Sequence, residues 1–179
     1  KLQKEVIKYA KKLNSTNLSI LRSGNISIRT KFKNIEGFLI TPSGKKYETL
    51  LPKEIVFVSL DGTYDEKGVK PSSEWKFHQD IYLEKKEANA IVHAHSLYAT
   101  SLSVHGKFIP AFHYMVALAG GDDIKCSKYA TFGTRELSYN IIKALKNRRA
   151  CLMSNHGQVS YGDDLGKAFE LAEEVENLC

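Results

Sequence analysis

The 179-residue sequence is long enough to bury about 70% of the surface its unfolded chain exposes, so a single domain of this size needs no disulfide or metal staple. Hydrophobic residues make up 42% and charged residues 26%, with 12 Gly and 4 Pro, which excludes disordered, collagen-like and low-complexity chains. Lys and Arg number 26 against 20 Asp and Glu, a net charge of +6; these cations are scattered, which suits a solvated surface better than a nucleic-acid footprint and still favours a small anionic substrate.

Apolar Leu2, Val6, Tyr9, Ala10 and Leu13 recur at helical spacing and predict an amphipathic opening helix, ended by the polar stretch 14–25. Residues 25–30 (NISIRT) alternate like a half-buried strand, 37–40 (GFLI) form its neighbour, and Thr41-Pro42-Ser43-Gly44 turns the chain. A third strand at 55–60 (IVFVSL) stops at Asp61-Gly62. After Pro71, the capping residues Ser72 and Ser73 predict a helix over 74–86. A buried strand at 89–95 (NAIVHAH) follows, then a helix from Ser96 to about Val104 and a short helix near 112–119. A long helix from Thr134 to Lys146, strands at 150–154 and near 158–161, and a closing helix from Asp163 complete the chain. There is no regular βαβ rhythm. The pattern predicts an α/β protein of the α+β type: one domain over 1–179, its central and largely antiparallel sheet flanked by helices on both sides.

Cys126, Cys151 and Cys179 form neither a disulfide framework nor a C-x-x-C zinc site, and they suit a reducing cytoplasm. No apolar run is long enough to span a bilayer, and the Lys-rich N-terminus lacks a signal-peptide core. A soluble cytoplasmic protein without a membrane or nucleic-acid partner is expected.

His93 and His95 stand two apart in a strand, so both imidazoles leave the sheet on one side, as a two-toothed metal clamp or as a pair of core histidines. A third ligand would be needed. His156, between a strand and Gly157, can present its ring from a tight turn, or bond only to backbone there. Glu74 can complete a tetrahedral site or act as a base; it can also be a first-turn acid favoured by the helix dipole, or an i,i+4 partner of His78. The helix start Pro71-Ser72-Ser73-Glu74 offers free N–H groups and two hydroxyls that suit a phosphate, and Ser23-Gly24-Asn25 and Thr41-Pro42-Ser43-Gly44 are further polar loops. No phosphate-binding G-x-x-x-x-G-K-[ST] or dinucleotide-binding G-x-G-x-x-G pattern is present.

Longer blocks carry a resemblance. SGN at 23–25, LITPSG at 39–44, PSSEWKFH at 71–78, IVHAHS at 91–96, IPAFHYMVALAGG at 109–121, YATFGTREL at 129–137 and SNHG at 154–157 resemble the class II aldolase/adducin family, from the first helix to about residue 178. The resemblance implies a zinc held by His93, His95 and His156, with Glu74 at the metal in the resting site and acting as base when substrate displaces it. It implies phosphate binding by Gly24 and Asn25, by Thr41 with Ser43 and Gly44, and by Ser72 with Ser73. Tyr114 matches a family tyrosine that reaches into a neighbouring subunit's site as proton donor or acceptor, and Phe132 an aromatic at the same intersubunit site, which implies a homotetramer. The implied reaction is reversible cleavage of a ketose 1-phosphate, of the fuculose 1-phosphate kind, to dihydroxyacetone phosphate and a small aldehyde such as L-lactaldehyde. Zinc would act as Lewis acid, without a Schiff-base lysine. Family aldolases continue past the last helix into a tail whose tyrosine closes over the site, and this sequence ends at Cys179. Two alternatives are a pentulose-phosphate 4-epimerase of the same family, which tends to carry Asp where Glu74 stands, and an adducin-like binding module without the metal site.

Overall fold

The strand expected over NISIRT runs two residues further, and its first four residues are all buried instead of alternating. In a computed structural model, which describes all 179 residues, strand β1 covers Asn25–Phe32 and turns through Lys33 and Asn34, both at positive φ, into β2 at Ile35–Ile40. The register pairs Ser27 with Ile40 and Phe32 with Ile35. Strand β3 (Val56–Ser59) pairs with β2 on one side, and β4 (Ala90–Ala94) pairs with β1 on the other. Then come β5 (Cys126–Ser127), β6 (Ala150–Met153) and β7 (Gly157–Gly162). The seven strands lie in the order β3-β2-β1-β4-β7-β6-β5. Every pairing is antiparallel except β5 with β6, so the expected largely antiparallel sheet is borne out.

Helices cover both faces because the strands are apolar on both. Ile26, Ile28, Leu39, Ala90, Val92 and Ala94 point to one side, where they meet α1 (Leu2–Ser15) and α5 (Leu165–Leu178). Val6, Ala10 and Leu13 of α1 and Leu165, Phe169 and Ala172 of α5 complete that core. Phe38, Ile40, Ile91, Val159 and Tyr161 point to the other side, under α2 (Trp75–Glu84) and α4 (Arg135–Ala144). A third, smaller core joins Ala99 of α3 (Leu97–Ser103) to Leu152, Leu171 and Val175.

Four details differ from the sequence expectations. The helix after Pro71 begins at Trp75, not Glu74, and neither serine is its N-cap: Glu74 holds that position without a side-chain cap bond, while Ser72 Oγ accepts the Glu74 N–H at 3.3 Å. The segment 47–54 forms two 3₁₀ turns, and the expected short helix near 112–119 is a 3₁₀ turn at Tyr114–Ala119, where Gly120 at φ 96° ends it. Strand β5 is two residues long and exists only because β6 pairs with it, so no local periodicity announces it.

Candidate active site

Two loops are laid side by side by backbone bonds. Ser72 N donates to Thr41 O at 3.0 Å and Ser43 N to Lys70 O at 3.0 Å, so the turn after β2 and the segment before α2 form one rim. The SGN turn joins them at the start of β1. Gly24 adopts φ +75°, and a Cβ there would lie 2.6 Å from the His93 carbonyl oxygen, so only glycine lets this turn approach β4 so closely. Ser43, Gly44, Ser72 and Ser73 line the resulting cleft of about 370 Å³ together with Gly24 and Asn25.

Glu74, His95 and His156 line that cleft, and the fully buried His93 completes the group with them. His93 of β4 and His95, one residue past its end, stand two apart and share a face, as extended backbone alternates. His156 arrives by topology: Ala94 pairs with Gln158, which sets the β6–β7 turn against the end of β4. Asn155 takes φ 56° in that turn, and a Cβ on Gly157 would run into the Ala94 carbonyl. The three ring centroids are 4.8, 4.9 and 4.8 Å apart, with interplanar angles of 71°, 86° and 74°. Glu74 Oε2 lies 3.1 Å from His93 Nε2 and Oε1 lies 3.2 Å from His156 Nε2, and His93 Nε2 is 2.9 Å from His95 Nε2.

The donor chemistry fits a cation. His93 Nδ1 lies 2.8 Å from the Gln158 carbonyl; a carbonyl only accepts, so Nδ1 carries a proton and Nε2 is the ring atom turned toward Glu74, free to serve as a ligand. Glu74 Oε1 is buried and accepts no hydrogen bond. All four donor atoms lie within 4.8 Å of one another, and tetrahedral zinc ligands at about 2.0–2.1 Å from the ion stand about 3.3 Å apart. Three imidazoles and a carboxylate are a donor set that suits such an ion. Burial, then the adjoining His93 and His156, push His95 down to about 3, which keeps that ring neutral as a ligand must be. Burial raises the Glu74 carboxyl, but His93 and His156 outweigh it and hold the group well below the usual carboxylate range.

Not every expected residue faces the cleft. Thr41 is buried and its hydroxyl accepts the Ile26 N–H at 3.2 Å, so it braces the loop instead of lining it. Asn25 lines the cleft, yet one amide N–H goes to Glu74 Oε2 at 3.0 Å and its oxygen lies 2.5 Å from His78 Nε2, leaving one N–H free. Phe132 stands on the cleft wall. Tyr114 is 80% exposed, on the 3₁₀ turn beyond β4, and is not part of the wall of its own chain's cleft. Wall residues that the sequence did not single out include Tyr129, Tyr47, whose hydroxyl donates to Gly24 O at 2.5 Å, and Arg22, which donates to Gly44 O at 2.9 Å. A cation directly preceding SGN was the available signal for Arg22.

With this geometry in place, the likeness to known proteins is informative. Residues 4–179 match the family described as Class II Aldolase and Adducin N-terminal domain. The L-fuculose phosphate aldolase of Escherichia coli K12 is 44% identical over 179 residues, covering 100% of this chain and 81% of that protein. The 5-methylthioribulose-1-phosphate/5-deoxyribulose-1-phosphate aldolase of Rhodospirillum rubrum is also 44% identical, covering 99% of this chain and 78% of that protein. A solved L-fuculose 1-phosphate aldolase superposes with a TM-score of 0.92 at 40% identity, covering 98% of this chain and 82% of its own. The fold, the His/Glu cluster and this near-complete match together place the chain in the class II aldolase and adducin N-terminal domain family, as an aldolase, a lyase.

Proposed function

We propose that the chain cleaves a ketose 1-phosphate reversibly to dihydroxyacetone phosphate and a small aldehyde, with L-lactaldehyde from fuculose 1-phosphate as the first candidate, in the cytoplasm and with Zn²⁺. The observation that carries this reading is the meeting of three imidazoles and a carboxylate beside a cleft rimmed by Gly- and Ser-bearing polar loops. His93, His95 and His156 would hold the ion, which when bound supplies Lewis-acid stabilisation of the charge that develops on the carbonyl and adjacent hydroxyl oxygens.

The chain's own groups supply the rest. Ser43, Gly44, Ser72 and Ser73, with Gly24 and the free N–H of Asn25, receive the phosphate, and Arg22 adds a cation beside them. That anchors C1 and sets the reacting carbons over the histidines. In the condensing direction Glu74, 3.1 Å from His93, takes the proton from the carbon bearing the free hydroxyl and returns it on cleavage. Tyr114 gives a proton to the aldehyde oxygen. Exposed and absent from its own cleft wall, it serves a neighbour's cleft on this reading, in a homotetramer whose contact surface includes the exposed Phe108, Phe112, Tyr114 and Leu118. Phe132 stands at the edge of the same shared site.

Glu74, in place of Asp, favours the aldolase over the 4-epimerase, and the intact donor cluster speaks against a binding module. A coupled assay for dihydroxyacetone phosphate tests this with fuculose 1-phosphate, 5-deoxyribulose 1-phosphate and pentulose 5-phosphates. Release of dihydroxyacetone phosphate from the 1-phosphates is expected. Epimerisation of the 5-phosphates without it would overturn the reading.

A further inference from the structure

Behind Glu74, between β1 and α2, lies a file of buried polar side chains. Asn25 Nδ2 donates to Glu74 Oε2 at 3.0 Å, and Asn25 Oδ1 is 2.5 Å from His78 Nε2. His78 Nδ1 is 2.7 Å from Ser27 Oγ, which is 2.7 Å from Tyr82 Oη. Ser27, His78 and Tyr82 are each 0% exposed, and none of them lines the cleft. The file follows from two periodicities: Asn25 and Ser27 share a strand face, while His78 and Tyr82 stand one helical turn apart, with Glu74 a further turn back.

Its proton order is forced. A carboxylate only accepts, so Asn25 turns its N–H to Glu74 and its oxygen to His78, and His78 Nε2 must carry a proton. The ring is fully buried with no carboxylate against it, so it is neutral and Nδ1 is bare. Ser27 O–H therefore donates to Nδ1, and Tyr82 O–H donates to Ser27. Every donor in the file points toward Glu74. Packing holds both ends of the α2 stripe: Phe77 stacks on His78 at 4.6 Å, and the Arg29 guanidinium sits 4.8 Å over the Tyr82 ring, itself bonded to the carbonyls of Tyr82, Lys85 and Ala88.

We propose that His78 is a positioning residue for Glu74: its Nε2 proton, fixed by Ser27 and Tyr82, locks the Asn25 amide so that the carboxylate faces the three imidazoles in one orientation. Without that donor the buried Asn25 oxygen is unpaired, the amide loses its preferred orientation, and the carboxylate loses its fixed N–H. This inference rests on the reading of Glu74 as the base.

The test compares His78→Gln, whose amide N–H can replace Nε2–H, with His78→Asn, whose shorter side chain reaches only toward Ser27. In the metal-loaded full chain, His78→Gln is expected to keep most of the wild-type kcat. His78→Asn should lose about 10- to 100-fold in kcat with KM nearly unchanged and metal content intact. In the wild-type metal-free chain, nitrogen-15 NMR of labelled histidine should show His78 as the neutral Nε2–H tautomer, a readout independent of how either variant folds. A fully active His78→Asn, an equal fall in both variants, or an Nδ1–H tautomer would overturn the proposal. If Glu74→Gln kills turnover while His78→Asn does not, only this inference fails; a wild type without aldolase activity removes the reading of Glu74 and this inference with it.

Discussion

Glu74→Gln is expected to lower kcat about 10²- to 10⁴-fold, the range that a positioned general base contributes, while the variant still binds its metal. Glutamine preserves size and can still accept the Asn25 N–H, now on a neutral carbonyl. What it removes is the ionised carboxylate that His93 and His156 hold below the usual carboxylate range. The three imidazoles remain to hold the ion, so metal content should fall little. The decisive readout is proton exchange on dihydroxyacetone phosphate alone, which needs the base and no aldehyde. Exchange at the wild-type rate in Glu74→Gln would assign the base to another group.

Mixing two inactive chains should restore activity. Tyr114 is 80% exposed and absent from its own cleft wall, which on the proposed reading assigns it to the Glu74 of a neighbouring chain. Glu74→Gln and Tyr114→Phe, each nearly inactive alone, are expected to form sites in which a wild-type Glu74 meets a wild-type Tyr114 when co-expressed. Random assembly gives about a quarter of the sites both groups, so activity should rise to that order of the wild-type value. A fully active monomer, or co-expressed chains no better than either variant alone, would remove Tyr114 from the site.

Much of this was legible in the sequence because local periodicity carries it. Strand alternation put His93 and His95 on one face and marked β1, while β2 and β4 were read from short apolar runs bounded by turn and polar residues. His156 was a candidate only by its turn, since its place beside β4 depends on the pairing of Ala94 with Gln158, a contact between distant segments. The 3₁₀ turns at 47–54 and the two-residue β5 have no amphipathic pattern of their own. Ser72 and Ser73 signalled a helix start correctly but not its cap, because Glu74 is drawn toward the histidines and holds the N-cap position itself. Ser27 and Tyr82 went unremarked, and His78 entered only as a possible i,i+4 partner of Glu74. Their link to Glu74 needs a strand period and a helix period read together, across an interface that only the fold creates.

The central claim is that His93, His95, His156 and Glu74 enclose a metal ion. Elemental analysis of protein purified without chelator tests it most directly, with His93→Ala as the control. The account predicts about one zinc per wild-type chain and loss of that zinc in the variant. A wild-type chain that holds no transition metal, even after dialysis against zinc, would contradict it.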